Sequence, residues 1–252
     1  MNSYYYICKK FTVSISINKI KKTMKKLMII AAMMVAAVSA NAQFEPGTFS
    51  IQPKLGGTAS WLSNMPKLSV GMANTILDKQ PTAGLLVGVE AEYQLTNMIS
   101  VAAGAGYSLQ GSGWEDYSES AGDYKAELKD AKIELGYINV PVVANFYLFK
   151  GFAVKTGVQF GFLTSAKQKG TIKVTSGSTT INMDLEDDDH DYKDACKKFD
   201  VSIPIGVSYQ FGVPITLDLR YNVGLTKVNK ESADKDLKNN VVQFTVGYKF
   251  AL

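Results

Sequence analysis

After residue 43, apolar and polar residues alternate with period two along most of the chain, the pattern of strands whose two faces meet different surroundings. The clearest run is 199–211, with Phe199, Val201, Ile203, Ile205, Val207, Tyr209 and Phe211 on one face. Asp200, Ser202, Pro204, Gly206, Ser208 and Gln210 fall on the other. Past Gly212 the alternation resumes, setting Val213, Ile215, Leu217, Leu219, Tyr221, Val223 and Leu225 against Thr216, Asp218, Arg220, Asn222 and Gly224. From Phe152 the apolar positions are Phe152, Val154, Val158, Phe160 and Phe162, opposite Lys155, Gly157, Gln159 and Gly161. Segments 49–61, 85–95, 99–109, 138–148 and 242–250 fit the same rule. Each reaches the roughly 9–11 residues of a tilted membrane-crossing strand, longer than the roughly 5–6 usual in soluble proteins. Eight strands are predicted, or ten if 171–175 and 179–185, around Ser176-Gly177-Ser178, add a hairpin.

Which face is bulky decides the surroundings. The non-apolar face is rich in Gly, Ser, Ala and Thr, as a cramped interior demands, and no segment is left over to cover the Val, Ile, Leu and aromatic face. Closing the strands on themselves in lipid resolves both points, because a closed ring also leaves no backbone edge unpaired. The expected fold is all-β: a closed antiparallel up-and-down transmembrane β-barrel. Residues 96–98, 149–151 and the stretch around Gly212 read as tight turns, while 63–81, 111–132, 166–198 and 227–240 read as long polar loops. Short turns belong on the periplasmic side and long loops outside, which puts both mature termini in the periplasm. Trp61, Tyr107, Trp114, Tyr117 and Tyr137 near the upper strand ends, with Phe149, Phe211, Tyr248 and Phe250 near the lower, suggest two interfacial girdles.

The first 42 residues stand apart. Lys25 and Lys26 precede an apolar run from Leu27 to Val38, then Ser39-Ala40-Asn41-Ala42 and Gln43, which reads as a signal peptide over 24–42 with an Ala-x-Ala cleavage site. Met24 is the natural start, making 1–23 an upstream extension or a start placed too early. The barrel domain is then 43–252. The formal net charge of +4 comes from this leader. Without its seven lysines, 20 basic residues face 23 acidic ones, so the basic balance gives no reason to expect nucleic-acid binding. Cys196 is the sole cysteine after the leader, which excludes an internal disulfide in the mature chain.

The ionisable residues on the small face are Lys54, Lys155, Arg220 and Lys249 against Glu90, Glu92, Asp200 and Asp218, four of each sign. A barrel of eight strands is just wide enough for side chains to fill it, so a neutral, mutually paired interior network without an open channel is expected. Seven acids crowd 184–194, and Asp187, Asp188, Asp189 and Asp191 could gather a divalent cation. No EF-hand register fits: from Asp187 the sixth position is Tyr192 and the twelfth Lys198. A solvated loop explains the run better. His190, the only histidine, has no partner that spacing identifies, and no phosphate loop, dinucleotide fingerprint or nucleophile elbow occurs. The expectation is a monomer without cofactor or catalysis, with a structural or loop-mediated binding role. Its expected partners are outer-membrane lipid and lipopolysaccharide, the assembly machinery that inserts it, and an extracellular ligand of the loops.

Several stretches carry a likeness to a known family: the Ala-Asn-Ala-Gln leader end, Tyr137-Ile138-Asn139-Val140-Pro141-Val142, Gly157-Val158-Gln159-Phe160-Gly161, and the closing Val246-Gly247-Tyr248-Lys249-Phe250. In these the chain resembles the PorT-like outer-membrane β-barrel proteins across nearly all of 43–252. The resemblance implies insertion by the outer-membrane assembly machinery with the last strand as signal. It also raises a secretion or translocation role, for which no motif here speaks.

Overall fold

A computed structural model describes residues 45–70, 75–185, 192–230 and 236–252. Eight long strands make the body: β1 (Phe49–Ser63), β2 (Lys79–Gln94), β3 (Ile99–Trp114), β4 (Tyr124–Phe149), β5 (Phe152–Ser176), β6 (Phe199–Gln210), β7 (Ile215–Gly224) and β8 (Lys238–Tyr248). Each pairs antiparallel with its chain neighbours, and β8 pairs back onto β1, so the hydrogen-bonded order is a ring. A short piece, Phe250–Ala251, extends the closing seam along β1. Tight turns join β2 to β3, β4 to β5 and β6 to β7 at one end. Gly151 turns the β4–β5 corner at φ 77°, a conformation costly for a residue with a Cβ.

The alternation resolves as polar inside, apolar outside. On β6, Asp200, Ser202, Ser208 and Gln210 are buried, while Phe199, Ile205 and Val207 are exposed. The outward belt runs right round the ring: Leu55, Val87, Val101, Val142, Val158, Ile205, Leu219 and Phe244 represent the eight strands in turn, and all are exposed. Among the described residues no protein element covers it, and lipid is the surroundings that makes such a belt favourable. Stacked or edge-on aromatics rim the turn end (Phe149 on Phe152, Tyr209 on Phe211, Tyr248 on Phe250). Trp61 on Tyr221 and Phe162 against Phe199 sit toward the other.

The far end departs from the sequence expectation. Much of 111–132 and 166–198 is strand, not loop: β4 and β5 pair far beyond the apolar belt, up to Tyr124 opposite Ser176. Two flanking strands, Tyr117–Ala121 on β4 and Thr179–Asp184 on β5, complete a four-stranded sheet standing off the ring. The hairpin around Ser176-Gly177-Ser178 therefore forms, but as part of this platform and not as two more staves. These segments read as loops because their chemistry is reversed. Below Tyr137, β4 puts Asn139 and Asn145 inward and Ile138, Val142 and Phe146 outward. Above it, with side chains still alternating, Leu135, Ile133 and Ala131 turn inward and join apolar clusters, leaving Glu134 and Lys132 outward. The wall has left the lipid, so its wet side changes.

Two bulges shape the transition, Thr164 opposite the Gly136–Tyr137 step and Asp130-Ala131 opposite Gly170. Asp130 takes φ 53°, a left-handed position that Asp tolerates better than most residues. The second bulge resets the alternation so that Leu128 and Ala131 share one buried cluster. This also corrects the upper girdle. Tyr137 is turned inward and 1 % exposed, and Trp114 and Tyr117 pack against the apolar clusters beneath the platform.

Candidate functional site

Inside the ring, five charged side chains from four strands meet: Lys54 on β1, Glu90 on β2, Lys155 on β5, and Asp218 and Arg220 on β7. Arg220 grips Glu90 with two parallel bonds, Nη1 to Oε1 at 2.9 Å and Nη2 to Oε2 at 3.2 Å. Its Nε and Nη2 also reach Asp218, both at 3.1 Å. Lys54 pairs with Glu90 and Lys155 with Asp218, and Lys155 lies 3.8 Å from Glu90 as well. This fork geometry suits guanidinium better than ammonium. The cluster ties together strands from opposite sides of the ring and fills the lumen at mid-height.

Small inward residues make the room. A Cβ on Gly104 would lie 2.5 Å from Cγ of Glu90, and one on Gly206 would lie 3.2 Å from Cγ of Arg220. Against the same cluster lies a cavity of about 20 Å³ between Gly88, Gly106, Gln159 and Gln243, room for about one water-sized particle.

Toward the turn end a second layer follows. Lys249 lies 2.7 Å from Glu92, and Glu92 also accepts bonds from the hydroxyls of Tyr147 at 2.5 Å and Ser100 at 2.7 Å. Toward the platform comes a neutral layer, in which Asn139 donates to Ser108 at 2.8 Å and Gln159 to Asn139 at 3.1 Å. Above it the lumen closes with apolar side chains: Leu62, Met65, Leu135, Tyr137, Leu163 and Val228 form one buried cluster.

Seven of the eight ionisable residues expected inside thus fall into two paired groups. Asp200 does not. It sits a layer higher, where it and the Tyr137 ring flank Gly161, and it accepts a hydrogen bond from the Thr226 hydroxyl with no cation in ion-pair range among the described residues. The central group consequently holds three cations and two carboxylates, instead of the even balance expected. Sequence reasoning passed over Tyr147, Ser100, Asn139 and Thr226. The first three lie on the inward positions of segments already recognised as strands, so the alternation itself could have flagged them.

Asp187, Asp188, Asp189, Asp191 and His190 lie outside the described residues, as do the leader and residues 1–23. Among the described residues no group of three or more His, Cys, Asp or Glu stands together as a metal site.

The platform is the other feature of note. Its inward face carries Leu128, Ile172 and Tyr117, which pack on Leu77, Leu68 and Val70 of a small hairpin (Leu68–Val70 with Thr75–Leu77) from the β1–β2 connection. Further out, Ile181 and Met183 remain 56 % and 53 % exposed. On the outward face Glu127 takes ion pairs from Lys125 at 3.1 Å and Lys129 at 3.3 Å, and these hold its carboxyl below the ordinary Glu value.

Comparison with known proteins adds the family. The outer membrane protein beta-barrel domain matches residues 41–230. This chain belongs to that family. It is accordingly an outer-membrane protein, and the apolar belt is its lipid contact. Solved structures similar to this barrel include Ail, the attachment invasion locus protein of Yersinia pestis, at 12 % identity and TM-score 0.38, covering 81 % of this chain and 99 % of that one. Neisserial surface protein A is similar at 14 % identity and TM-score 0.38, covering 80 % and 97 %. The N-terminal barrel of Pseudomonas aeruginosa OprF is similar at 12 % identity and TM-score 0.30, covering 81 % and 99 %. A search of curated proteins finds no match.

Proposed function

We propose that this outer-membrane barrel is a sealed anchor whose working part is the platform, held outside the cell to bind a partner. The observation that carries this is the lumen. Among the described residues a cross-ring charge cluster at mid-height and an apolar cluster above it occupy the lumen, while two strands run on well past the belt to build an exposed sheet. The long-loop end is taken as extracellular, following the usual asymmetry of such barrels, and the protein as a monomer without catalytic activity.

Two measurements test the reading. In planar bilayers the mature protein should give no steady open states; regular stepwise conductance would overturn it. Trimming the platform hairpins back to the belt should leave heat-modifiable migration on gels intact while abolishing whatever surface binding the intact protein confers on cells. The finer PorT-like resemblance would place the same platform in a secretion apparatus. Loss of surface-delivered proteins on deleting the gene would favour that role over simple binding.

A further inference from the structure

The central cluster holds more positive charge than its carboxylates match. Glu90 alone serves Lys54, Lys155 and Arg220, while Asp218 serves Lys155 and Arg220. Adding the layer toward the turn end does not close the gap, because Lys249 and Glu92 cancel each other. Asp200 stands too far off to help. It lies six residues along β6 from Gly206, the position opposite both Lys155 and Arg220, or about 20 Å of strand. The two layers together therefore carry one surplus cation. Inside a membrane an unmatched buried charge is costly, and a bound counter-ion relieves that cost.

The small cavity beside the cluster lies on the side where the surplus is greatest. Lys54, Glu90 and Arg220 border it, together with Asn139, Gln159 and Gln243, whereas Lys155 and Asp218 do not. Glu90 does not bar an anion there, since Lys54 and Arg220 engage its Oε1 and Arg220 its Oε2. Donors remain for one. Lys54 places one of its three N–H groups on Glu90, and Arg220 places four of its five on Glu90 and Asp218, leaving one on Nη1. Gln243, opposite Arg220 on β8, is 5 % exposed, and its Nε2 has no hydrogen-bond partner among the described residues. Gly88 and Gly106 face each other across β2 and β3, and their missing side chains help to open the space. At about 20 Å³ it suits a single-atom ion and is too small for sulfate or phosphate.

We propose that this cavity binds one small monovalent anion, chloride in a saline medium, held by Lys54, Arg220 and the Gln243 amide. Its single charge brings the two layers to neutrality. The site depends neither on which end of the barrel faces outward nor on a partner for the platform.

Crystals of the mature protein grown in sodium bromide test it directly. The wild type should show one anomalous bromine peak between Lys54, Arg220 and Gln243. K54M, which removes the surplus charge, should show none there. Density without a bromine signal would mean water, and a bromine peak kept in K54M would mean an adventitious ion only; either would overturn the site. Stability gives a second readout. The mature protein is refolded into phosphatidylcholine vesicles, so that the ion can enter as the ring closes, and titrated with urea in chloride or in gluconate, an anion too large for the cavity. Equal ionic strength keeps general screening the same. The wild-type unfolding equilibrium constant should be about tenfold smaller in chloride, as for a site whose dissociation constant is about one tenth of the salt concentration. K54M should show no such difference. Q243L, which keeps every charge and loses the amide, should show less than the wild type and supplies the comparison if K54M does not fold. Heat-modifiable migration reports folding of each variant. Equal wild-type stability in the two salts, or a chloride effect undiminished in the folded variants, would overturn the proposal.

Discussion

The two halves of β4 and β5 make a controlled comparison: the same two strands, paired to each other throughout, once in lipid and once in water. Below Tyr137 the wall hides amides and charges and shows Ile138, Val142 and Phe146 to the bilayer. Above Leu163, beyond one bulge, it hides Leu135, Ile133 and Ala166 and shows Lys132, Glu134 and Lys167. Both halves are antiparallel sheet, interrupted only by the two bulges. What changes is which side of the sheet is the less polar medium, and each half buries whatever that medium would solvate worst. The lower half is therefore held together by directional pairing of buried charges, and the upper half by ordinary apolar packing. The two should fail in different ways.

The largest effect is expected in the charge cluster. Glu90 serves three cations, so E90Q leaves Lys54, Lys155 and Arg220 buried around Asp218 alone. A cost of about 3–5 kcal/mol is expected, in line with breaking a buried ion pair from one side. K54M removes the surplus cation instead, leaving two cations with two carboxylates, and should cost clearly less. Urea titration of both variants folded into lipid vesicles would decide this; equal losses would mean the excess charge is not felt. Next comes the lipid face. Val142, opposite Val158 near the middle of the belt, should not tolerate charge: V142K should cost about 2–4 kcal/mol by the same titration, as lysine does at a bilayer midplane. Ten residues earlier the same outward face already carries Lys132.

That contrast also explains what could be read from the sequence. The eight staves, their ends near the tight turns and the inward set of ionisable residues follow from one rule, alternation with the apolar side out. The rule stops working where the protein leaves the membrane. At 124–135 and 165–175 alternation persists, but with Lys and Glu on one face and Leu, Ile, Val and Ala on the other. A reader seeking a lipid-facing stripe sees charge and infers a loop. Tyr137 was misplaced for a related reason, since an aromatic at the membrane boundary suits a girdle or a plug equally well, and only its odd-numbered position on β4 separates the two. The pairing of Asp200 could not be read either. Parity puts it inside but does not give its height, and height leaves it with Thr226 and not with Arg220.

The apolar half should break locally. Leu135 is fully buried in the plug with Leu62, Met65 and Leu163, and L135A removes packing worth about 2–3 kcal/mol. That loss should loosen the plug and platform while the charge-clamped ring below holds. Limited proteolysis should then cut within 115–135, with heat-modifiable migration unchanged. Loss of the fast-migrating form would mean that the two halves fold as one unit and that the division drawn here has no energetic meaning.

The smallest effect concerns pH and belongs to the water-facing half alone. Glu127 sits between Lys125 and Lys129, and hydrogen bonds from those two ammonium groups lower its pKa below the ordinary value of 4.5. A carboxyl whose folded pKa is depressed adds stability that is present above the unfolded value and lost as pH falls through the folded one. Protection of the 124–129 and 171–176 hairpin should thus be flat from neutrality down to the ordinary Glu range and decline only below it. The exposed ammonium groups are screened by water and salt, so the decline should be slight and should shrink further at high ionic strength. The Glu127 carboxyl resonance, followed by ¹³C NMR in micelles, should titrate below 4.5 in the wild type and shift up toward the ordinary value in K125Q/K129Q. An unchanged titration in that variant would show that the lysines are merely neighbours, and that the outward face of the platform is organised by something other than its own charge pairs.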